Sequence, residues 1–422
     1  MSAAEGDPLP RLTAAQAAAR LGVKQATLYA YVSRGLLSRE RTAAGSTFDP
    51  LEVEGFARGR RRDTVIPRSS GSARPGFSPA AAGTPLMVLD TDIATVEDDE
   101  LLFRGRPATA LIDDRVEGVA AWLWGGAASL DPAPALDPAP DPAMIAAARA
   151  VVAALPPDAA LLDRVHAAVL GLAAADPLRY DARPENLVRS GALLLAGIPR
   201  ALSPDAQAAP SGESLAAALW PALGGGRPTP AGIRALNAAL VLLIDHDLAV
   251  STLAARVAAS ARGSAYAVVT AALGAFDSPL HGNASRAAAE LLERVIAGTS
   301  PERALAAAVR DGGRGVPGFG QPLYAGADAR AAALLPVIAE LDGSRPVLAA
   351  VDALCSEVGR RAGLHANVDL ALAALTLSAG LRPDAGVAVF ALGRLVGWVA
   401  HALDEYEQRP LRLRPRGRYV GP

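Results

Sequence analysis

The chain has 422 residues, of which 51% are hydrophobic and 20% charged, and its formal net charge is −2 at pH 7. This composition excludes a disordered chain, and the length exceeds one ordinary core, so we expect two or three domains. The single cysteine, Cys355, excludes a disulfide framework and a cysteine-based metal site, and is expected to be a small core residue. Without a long apolar run or a secretory signal pattern, the sequence predicts a cytoplasmic protein that makes no membrane contact.

The charge is distributed unevenly along the chain. Residues 11–62 carry ten Lys or Arg and four Asp or Glu, a net charge of +6, whereas residues 84–422 carry about −7. The sequence therefore predicts a small basic unit in front of a large acidic body.

The basic unit contains two short helical patterns. In RLTAAQAAARLGVKQATLYAYVSRGLL, Thr13 is a suitable N-cap for a first helix that Gly22 ends. Residues 24–34 form a second helical pattern that Gly35 closes. A small wing and a third helix are expected in SRERTAAGSTFDPLEVEGFARGRRR. This order predicts a helix-turn-helix.

Residues 10–58 resemble the winged helix-turn-helix domains of the MerR and excisionase type. The resemblance implies DNA contact through the second helix, for which the candidate residues are Lys24, Gln25, Thr27 and Arg34. The alternative is a domain retained for dimerisation or for contact with another protein.

Two segments have the composition of linkers or loops. Residues 59–83 are rich in Arg, Ser, Pro and Gly, which predicts a linker. The repeated Asp-Pro and Ala-Pro of residues 131–144 predict a surface loop. The rest of the body, 84–422, is mainly helical by pattern, apart from an expected β-hairpin that turns at Glu97–Asp99.

Three polar groups interrupt apolar helical sequence in the body. His246 stands in LLIDHDLAV, His281 stands in SPLHGNAS, and Asp369 stands in HANVD just before an apolar helix. Taken singly, a histidine before a glycine, such as His281, is typical of a turn. An aspartate before a helix, such as Asp369, is typical of an N-cap.

The order of the segments gives these residues a second interpretation. The segments LLFRGRPATAL, IDHDLAVSTLAARVAAS, SPLHGNAS, GVPGFGQPLYAGADAR, HANVD, ALGRLVGWVAHALDEY and RLRPRGRYVG follow one another along the body. In this order they resemble citrate synthase. The resemblance implies a mainly α fold, with a large domain over 84–282 and 379–422 and a small domain over 283–378. It also implies a homodimer that takes oxaloacetate and acyl-CoA as substrates and needs no metal or redox cofactor.

The resemblance also implies roles for individual residues. Asp369 would be the general base, His281 would donate a hydrogen bond to the thioester carbonyl, and His246 would bind oxaloacetate. Three arginines would bind its carboxylates, the last of them reaching into the neighbouring subunit's site: Arg330, Arg394 and Arg414. The alternative for the tail that carries Arg414 is a solvated basic terminus.

The glycine- and proline-rich segment 315–330 is expected to bring backbone close to a ligand. By resemblance it would contact CoA through Val316, Pro317, Gly318, Phe319 and Gly320. The next position, at which the family has a histidine that polarises the ketone of oxaloacetate, is Gln321 here. A neutral amide keeps a donor but supplies no charge, so a rate loss up to about 10²–10³ is expected.

Three further positions depart from the family pattern. Ala325 stands where a basic residue often faces a CoA phosphate, Ala329 replaces a proline, and Asn283 replaces a glycine. The leading interpretation is a citrate or 2-methylcitrate synthase-like enzyme. The alternatives are a transcriptional regulator that senses acyl-CoA or oxaloacetate, and an inactive partner in mixed oligomers.

Overall fold

The structure is a computed structural model, and it describes residues 9–42, 45–63, 88–125, 140–203, 214–312 and 315–421. Within these ranges it contains seventeen α-helices, two short 3₁₀ helices and two three-stranded antiparallel sheets. The expected mainly helical fold is therefore confirmed.

The N-terminal unit has its own small core, formed mainly by Leu12, Ala17, Leu28, Phe48 and Val53. The side chains of Thr13 and Gln16 form a reciprocal capping box at the start of the first helix, and Gly22 ends that helix in the left-handed conformation. The elements are β1 Leu12–Thr13, α1 Ala14–Leu21, α2 Gln25–Ser33, β2 Glu40–Thr42, β3 Gly45–Phe48 and α3 Pro50–Asp63. Helix α3 includes the first five residues of the predicted linker, 59–63, and the remainder of that linker lies outside the described residues.

A hairpin opens the body where the sequence predicts one. Strands β4 Ala94–Glu97 and β5 Glu100–Phe103 pair with Glu97 opposite Glu100, and a short third strand, β6 Arg106–Pro107, follows. Asp98 and Asp99 form the two-residue turn, and both have positive φ, 50° and 63°. Such a turn matches the right-handed twist of the strands.

A first group of helices packs around the long helix α17. These helices are α4 Val116–Gly125, α5 Pro142–Ala153, α6 Leu161–Ala175, α7 Pro184–Leu202, α8 Leu215–Leu219, α9 Pro230–Leu242, α10 Val250–Ser260, α11 Ala265–Phe276 and α17 Ala385–Glu407. A Cβ on Gly397 would lie 2.2 Å from the carbonyl oxygen of Ile244, so this glycine lets α17 approach the segment that follows α9.

The loop predicted over 131–144 is wrong in its last three residues. Helix α5 begins at Pro142, because Asp141 accepts a hydrogen bond from the backbone of Ala143 and proline is favoured in the first helical turn. Residues 131–139 lie outside the described residues.

A second group of helices packs together in the region predicted as the small domain. It consists of α12 Ala284–Ile296, α13 Pro301–Gly312, α14 Ala329–Ile338, α15 Ser344–Ala362 and α16 Val368–Ser378. Helix α14 also contacts α9 of the first group. Cys355 on α15 is partly buried against the core, as expected, and burial raises the pKa of its thiol to about 11.

The N-terminal unit is docked on this second group. Helix α3 packs against α13 and α15. Arg361 on α15 forms ion pairs with Asp49, in front of α3, and with Glu302 and Glu357, at 3.4 Å and 3.3 Å. Arg20 on α1 pairs with Glu54 and also donates a hydrogen bond to the carbonyl oxygen of Val309.

Among the described residues, one helix is long and apolar enough to cross a bilayer. It is α17, and almost all of it is buried inside the protein, as the central helix of a folded core would be.

Candidate functional site

The glycine-rich loop lies against the segment that carries Asp369. The backbone nitrogen of Gly320 donates to the carbonyl oxygen of His365, and that of Asn367 donates to the carbonyl oxygen of Gly318. Gly318 has a positive φ of 78°, and a Cβ there would lie 2.9 Å from Cβ of Leu370. The loop therefore requires glycine to sit this close to the start of α16, which places the predicted CoA-contacting residues 316–320 beside the predicted base.

Asp328 connects the starts of two helices. Its carboxylate caps α14, accepts from the Arg330 side chain at 3.0 Å (Nε) and 2.8 Å (Nη2), and accepts from the backbone nitrogen of Val368 at 3.0 Å. Arg330 is thus held in a buried bidentate pair next to α16. Ala329 is the first residue of α14, so the change from proline leaves the cap and the pair intact.

Asp369 is in the first turn of α16, behind the N-cap residue Asn367. Its Oδ1 atom is buried and has no hydrogen-bond partner among the described residues. Burial raises the pKa of Asp369 to about 6, against the opposing effects of the Arg330 and Arg394 charges. A carboxylate with a raised pKa and an unpaired oxygen is suited to accept a proton from a bound molecule.

Arg394 is almost fully buried in α17. Its Nε donates to the carbonyl oxygen of Leu243 at 2.9 Å, and its guanidinium lies 5.0 Å from the centre of the Phe390 ring. Its Nη2 atom is buried without a hydrogen-bond partner in the described part of the chain. Burial lowers the pKa of Arg394 to about 10, so the side chain remains a cation at neutral pH. A buried cation with an unused donor favours an anionic ligand.

His246 lies in the segment between α9 and α10, and it is buried. Its Nε2 atom is 3.0 Å from the hydroxyl oxygen of Tyr324, and the two rings are 5.4 Å apart. Burial, together with the charges of Arg330 and Arg394, lowers the pKa of His246 well below its usual range. The imidazole is therefore neutral at physiological pH.

His281 is held by a hydroxyl and by aromatic rings. Its Nε2 atom is 2.7 Å from Oγ of Ser251, and Trp398 Nε1 donates to the same oxygen at 3.3 Å. Trp398 occupies one lone pair of this oxygen, and when the Ser251 hydroxyl donates to His281 Nε2 the ring carries its proton on Nδ1. Burial and the nearby Arg394 lower the pKa of His281 to about 4. The result is a neutral imidazole with an N–H donor for a ligand.

Gln321 does not extend away from its own loop. Its side-chain oxygen accepts from the backbone nitrogen of Leu323 at 3.3 Å, and its carbonyl oxygen accepts from the backbone nitrogen of Tyr324 at 3.3 Å. These bonds close a turn across Pro322.

The backbone at Ala325 meets an acid rather than a base. Asp99, in the first hairpin of the body, accepts from the backbone nitrogens of Ala325 and Gly326 at 2.5 Å and 2.9 Å. The position at which the resemblance places a basic residue is therefore next to a carboxylate.

A buried network of charged and polar groups extends behind His246. Asp245 Oδ2 is 2.9 Å from Nε2 of His401, and Nδ1 of the same ring accepts from Arg256 at 3.3 Å. Arg256 pairs with Glu405, which also pairs with Arg412 in the C-terminal tail. Since arginine can only donate, His401 carries its proton on Nε2 and donates it to Asp245.

The tail that carries Arg414 is anchored just before that residue. The backbone nitrogens of Leu411 and Leu413 donate to Ser260, and Leu413 is buried. Arg414 itself is exposed. The fold therefore brings together His246, His281, Asp369, Arg330 and Arg394, and it leaves Arg414 facing outward from this subunit.

The candidate DNA-contacting residues lie on the N-terminal unit. Lys24, Gln25 and Arg34 are exposed, and Thr27 is half-buried. In the same unit, Arg11 is paired with Glu40 and Arg20 with Glu54.

Four residues of the site were missed from the sequence: Ser251, Tyr324, Asp99 and Trp398. Ser251 and Trp398 stand inside two of the segments that carry the family resemblance, and a polar residue one position after the start of a helix gives no specific signal. Tyr324 lies three residues after Gln321, and that spacing could have indicated a turn that returns its side chain to the same site.

Comparison with known proteins identifies the family. The chain matches the family described as citrate synthase, C-terminal domain, over residues 82–416. The citrate synthase of Thermoplasma acidophilum is 32% identical over 219 residues, which are 50% of this chain and 57% of that protein. The 2-methylcitrate synthase 2 of Corynebacterium glutamicum is 28% identical over 290 residues, 64% of this chain and 74% of that protein. The sequence match thus spans little more than half the length of the first of these relatives.

The structural similarity covers more of the chain. A structure of the Thermoplasma acidophilum citrate synthase, in a ternary complex with carboxymethyl coenzyme A and oxaloacetate, matches with a TM-score of 0.66 and 25% identity, over 80% of this chain and 94% of that one. The citrate synthase of Pyrobaculum aerophilum has the same fold, with a TM-score of 0.66 and 24% identity over 80% of this chain and 91% of that one. The family match, the order of the helices and the site together place this chain in the citrate synthase family.

Proposed function

We propose that the protein condenses an acyl-CoA thioester, acetyl-CoA or propionyl-CoA, with oxaloacetate, and then hydrolyses the product thioester. The observation that carries the proposal is the convergence of two buried arginines, two neutral histidines and one carboxylate of raised pKa on one site. Four of these groups, the two arginines, Asp369 and His281, each meet a separate requirement of the reaction.

Oxaloacetate has two carboxylates, and the site has two buried guanidinium groups for them. Arg394 has an unused Nη2 donor, and Arg330 is held in place by Asp328. The partner subunit's Arg414 would complete the set, because Arg414 is exposed on an anchored tail and the family resemblance places it in the neighbouring site. The active form is then a homodimer.

The difficult step is removal of a proton from the carbon next to the thioester carbonyl. Asp369 takes this proton, and His281 donates its N–H to the thioester oxygen as the negative charge grows there. The enolate carbon then attacks the ketone carbon of oxaloacetate. Both residues have the protonation state that this requires at neutral pH: His281 is neutral, and Asp369 is ionised above a pKa of about 6.

The test is release of free thiol from acetyl-CoA or propionyl-CoA by the full-length protein, with and without oxaloacetate. The proposal expects thiol release that depends on oxaloacetate, with citrate or 2-methylcitrate as the product identified by mass spectrometry. The ratio of kcat/KM for the two thioesters then assigns the acyl preference, which depends on one methylene. A folded dimer that releases no thiol from either substrate would contradict the proposal. Gln321→His, assayed in parallel, measures how far the glutamine side chain lowers the rate of thiol release.

A second candidate function rests on the docking of the N-terminal unit. Through Arg361 and Arg20 this unit is fixed to α13 and α15, which belong to the same helical group as the Gln321 loop. A ligand-driven movement of that group would carry the N-terminal unit with it. If Lys24, Gln25, Thr27 and Arg34 contact DNA, the chain would act as a regulator that senses acyl-CoA or oxaloacetate.

This second function is tested by fluorescence anisotropy with random-sequence and promoter DNA at several salt concentrations. It requires binding that weakens as salt increases and that changes when oxaloacetate or acyl-CoA is added. Lys24→Ala combined with Arg34→Ala should reduce the affinity. The second function is excluded if DNA does not bind at low salt.

A further inference from the structure

The position that should polarise the ketone of oxaloacetate is occupied by a side chain that is engaged elsewhere. Gln321 uses its side-chain oxygen to accept from Leu323 within its own turn. An amide curled onto its own backbone is a poor substitute for a histidine aimed at a ligand. A neutral amide is also a weaker donor than a group assisted by charge. Only the NH2 group of Gln321 is left to donate, so a donor assisted by charge would activate the ketone more strongly.

The same turn places another hydrogen-bond donor, the Tyr324 hydroxyl, at the site. The backbone bond from Tyr324 to Gln321 closes the turn, and it directs the Tyr324 side chain into the protein, where the residue is 5% exposed. The hydroxyl oxygen lies 3.0 Å from Nε2 of His246 and also interacts with the Arg330 guanidinium. It therefore lies between two of the residues assigned to oxaloacetate.

We propose that Tyr324 is a catalytic residue that donates its hydroxyl hydrogen to the ketone oxygen of oxaloacetate, in place of Gln321. The inference rests on the proposed function, because it assumes that oxaloacetate is the ligand of Arg330 and Arg394. In this arrangement His246 carries its proton on Nε2 and donates it to the tyrosine oxygen, so it acts on oxaloacetate through Tyr324 and not as a direct ligand. The hydroxyl hydrogen then points to the ligand.

The surroundings of Tyr324 suit a donor rather than a base. Burial raises the pKa of Tyr324, although the Arg330 charge opposes this effect, so the phenol keeps its hydrogen. A positive charge beside the oxygen strengthens the O–H as a donor, as in other charge-assisted hydrogen bonds. Neither Tyr324 nor His246 transfers a proton while the enolate attacks the ketone. The new alkoxide then takes a proton from water, and the proton that Asp369 removed neutralises the hydroxide that is left.

The direct readout is the infrared stretch of the ketone in bound oxaloacetate labelled with ¹³C at the carbonyl carbon. In the unmodified protein we expect this band to lie at a lower wavenumber than in free oxaloacetate. In Tyr324→Phe most of the displacement should be lost, whereas in Gln321→Ala it should persist. Tyr180→Phe removes an exposed phenol and is the matched control for the substitution itself.

Kinetics provide a second readout. Tyr324→Phe should lower kcat by about 10²-fold, the usual effect of removing one donor to a developing oxyanion. The dissociation constant for oxaloacetate, measured by calorimetry, should change less than fivefold.

Persistence of the band displacement in Tyr324→Phe, or its loss in Gln321→Ala, would overturn the assignment. The Gln321→Ala measurement can still overturn the assignment if Tyr324→Phe fails to fold. Absence of oxaloacetate binding by the unmodified protein would overturn this inference and the proposed function together, whereas binding with an unshifted ketone band would overturn the inference alone.

Discussion

The carboxylate of Asp99 lies 2.5 Å from the backbone nitrogen of Ala325, and a second bond joins it to Gly326. Through this contact the first hairpin of the body holds the loop that carries Gln321 and Tyr324. The two ends of the contact are 226 residues apart along the chain.

We expect Asp99→Ala to loosen this loop. The substitution leaves two backbone donors without their charged acceptor, which should lower the free energy of unfolding by about 1–3 kcal/mol. Hydrogen exchange at the amides of residues 325 and 326 should accelerate at least tenfold. Glu100→Ala, an exposed change in the same hairpin, is the control and should leave this exchange unaltered. Equal exchange rates in both variants would show that Asp99 does not hold the loop.

The raised pKa of Asp369 should appear in the pH dependence of stability. A carboxyl with a folded pKa of about 6 and an ordinary unfolded pKa of about 4 is protonated in both states below about pH 3. As pH rises, the unfolded state releases its proton first, so the folded state loses stability between about pH 4 and pH 7. The full cost is at most about 3 kcal/mol, from two pKa units at 1.36 kcal/mol each.

Asp369→Asn removes this cost and is the means of measuring it. The free energy of unfolding of this variant should equal that of the unmodified protein near pH 3 and exceed it increasingly up to about pH 7.5. Urea unfolding of both proteins across this range measures the difference. A difference that does not change with pH would mean that Asp369 titrates normally in the folded protein.

Ser251 should act on catalysis through His281. Without the serine hydroxyl, the Nδ1–H tautomer of His281 loses its support, so Ser251→Ala should lower kcat by about 10–100-fold and leave KM for oxaloacetate nearly unchanged. The control is Ser264→Ala, which removes the N-cap of α11 and should cost about 1 kcal/mol of stability with little effect on kcat. Similar losses of kcat in the two variants would argue against the tautomer role.

The docking of the N-terminal unit offers a comparison between two neighbouring arginines. Arg361 pairs with three carboxylates and is mostly buried, so Arg361→Ala should destabilise the protein by about 2–3 kcal/mol and speed hydrogen exchange in α3. Arg360 is exposed and pairs with Glu357 alone among the described residues, so Arg360→Ala should cost less than about 0.5 kcal/mol. If the two variants unfold alike, Arg361 is not what fixes the unit to α15.

Much of the fold could be predicted from the sequence because its signals are local. The capping box at Thr13, the left-handed Gly22 and the turn at Asp98–Asp99 are each specified by a few adjacent residues. The helical start at Pro142 was missed because the Asp-Pro repeat, which favours extended backbone, continues without a break into the N-cap and first turn of α5.

The site could be predicted only in part, for a different reason. His246, His281, Asp369, Arg330 and Arg394 stand in recognisable segments, and the structure brings them together. Their partners come from distant parts of the chain: Ser251 meets His281 across 30 residues, Asp245 meets His401 across 156, and Asp99 meets Ala325 across 226. Such pairings depend on how the helices pack, which no local pattern encodes. The homodimer, the domain limits, the cytoplasmic location and the DNA contact remain predictions.

The most direct test of the central claim is oxaloacetate-dependent thiol release by the unmodified protein and by Asp369→Asn at pH 7.5. We expect the unmodified dimer to release thiol from acetyl-CoA or propionyl-CoA, and Asp369→Asn to do so about 10²–10⁴-fold more slowly, while remaining folded and binding oxaloacetate. Equal rates in the two proteins, or no release by an intact dimer that binds oxaloacetate, would contradict it.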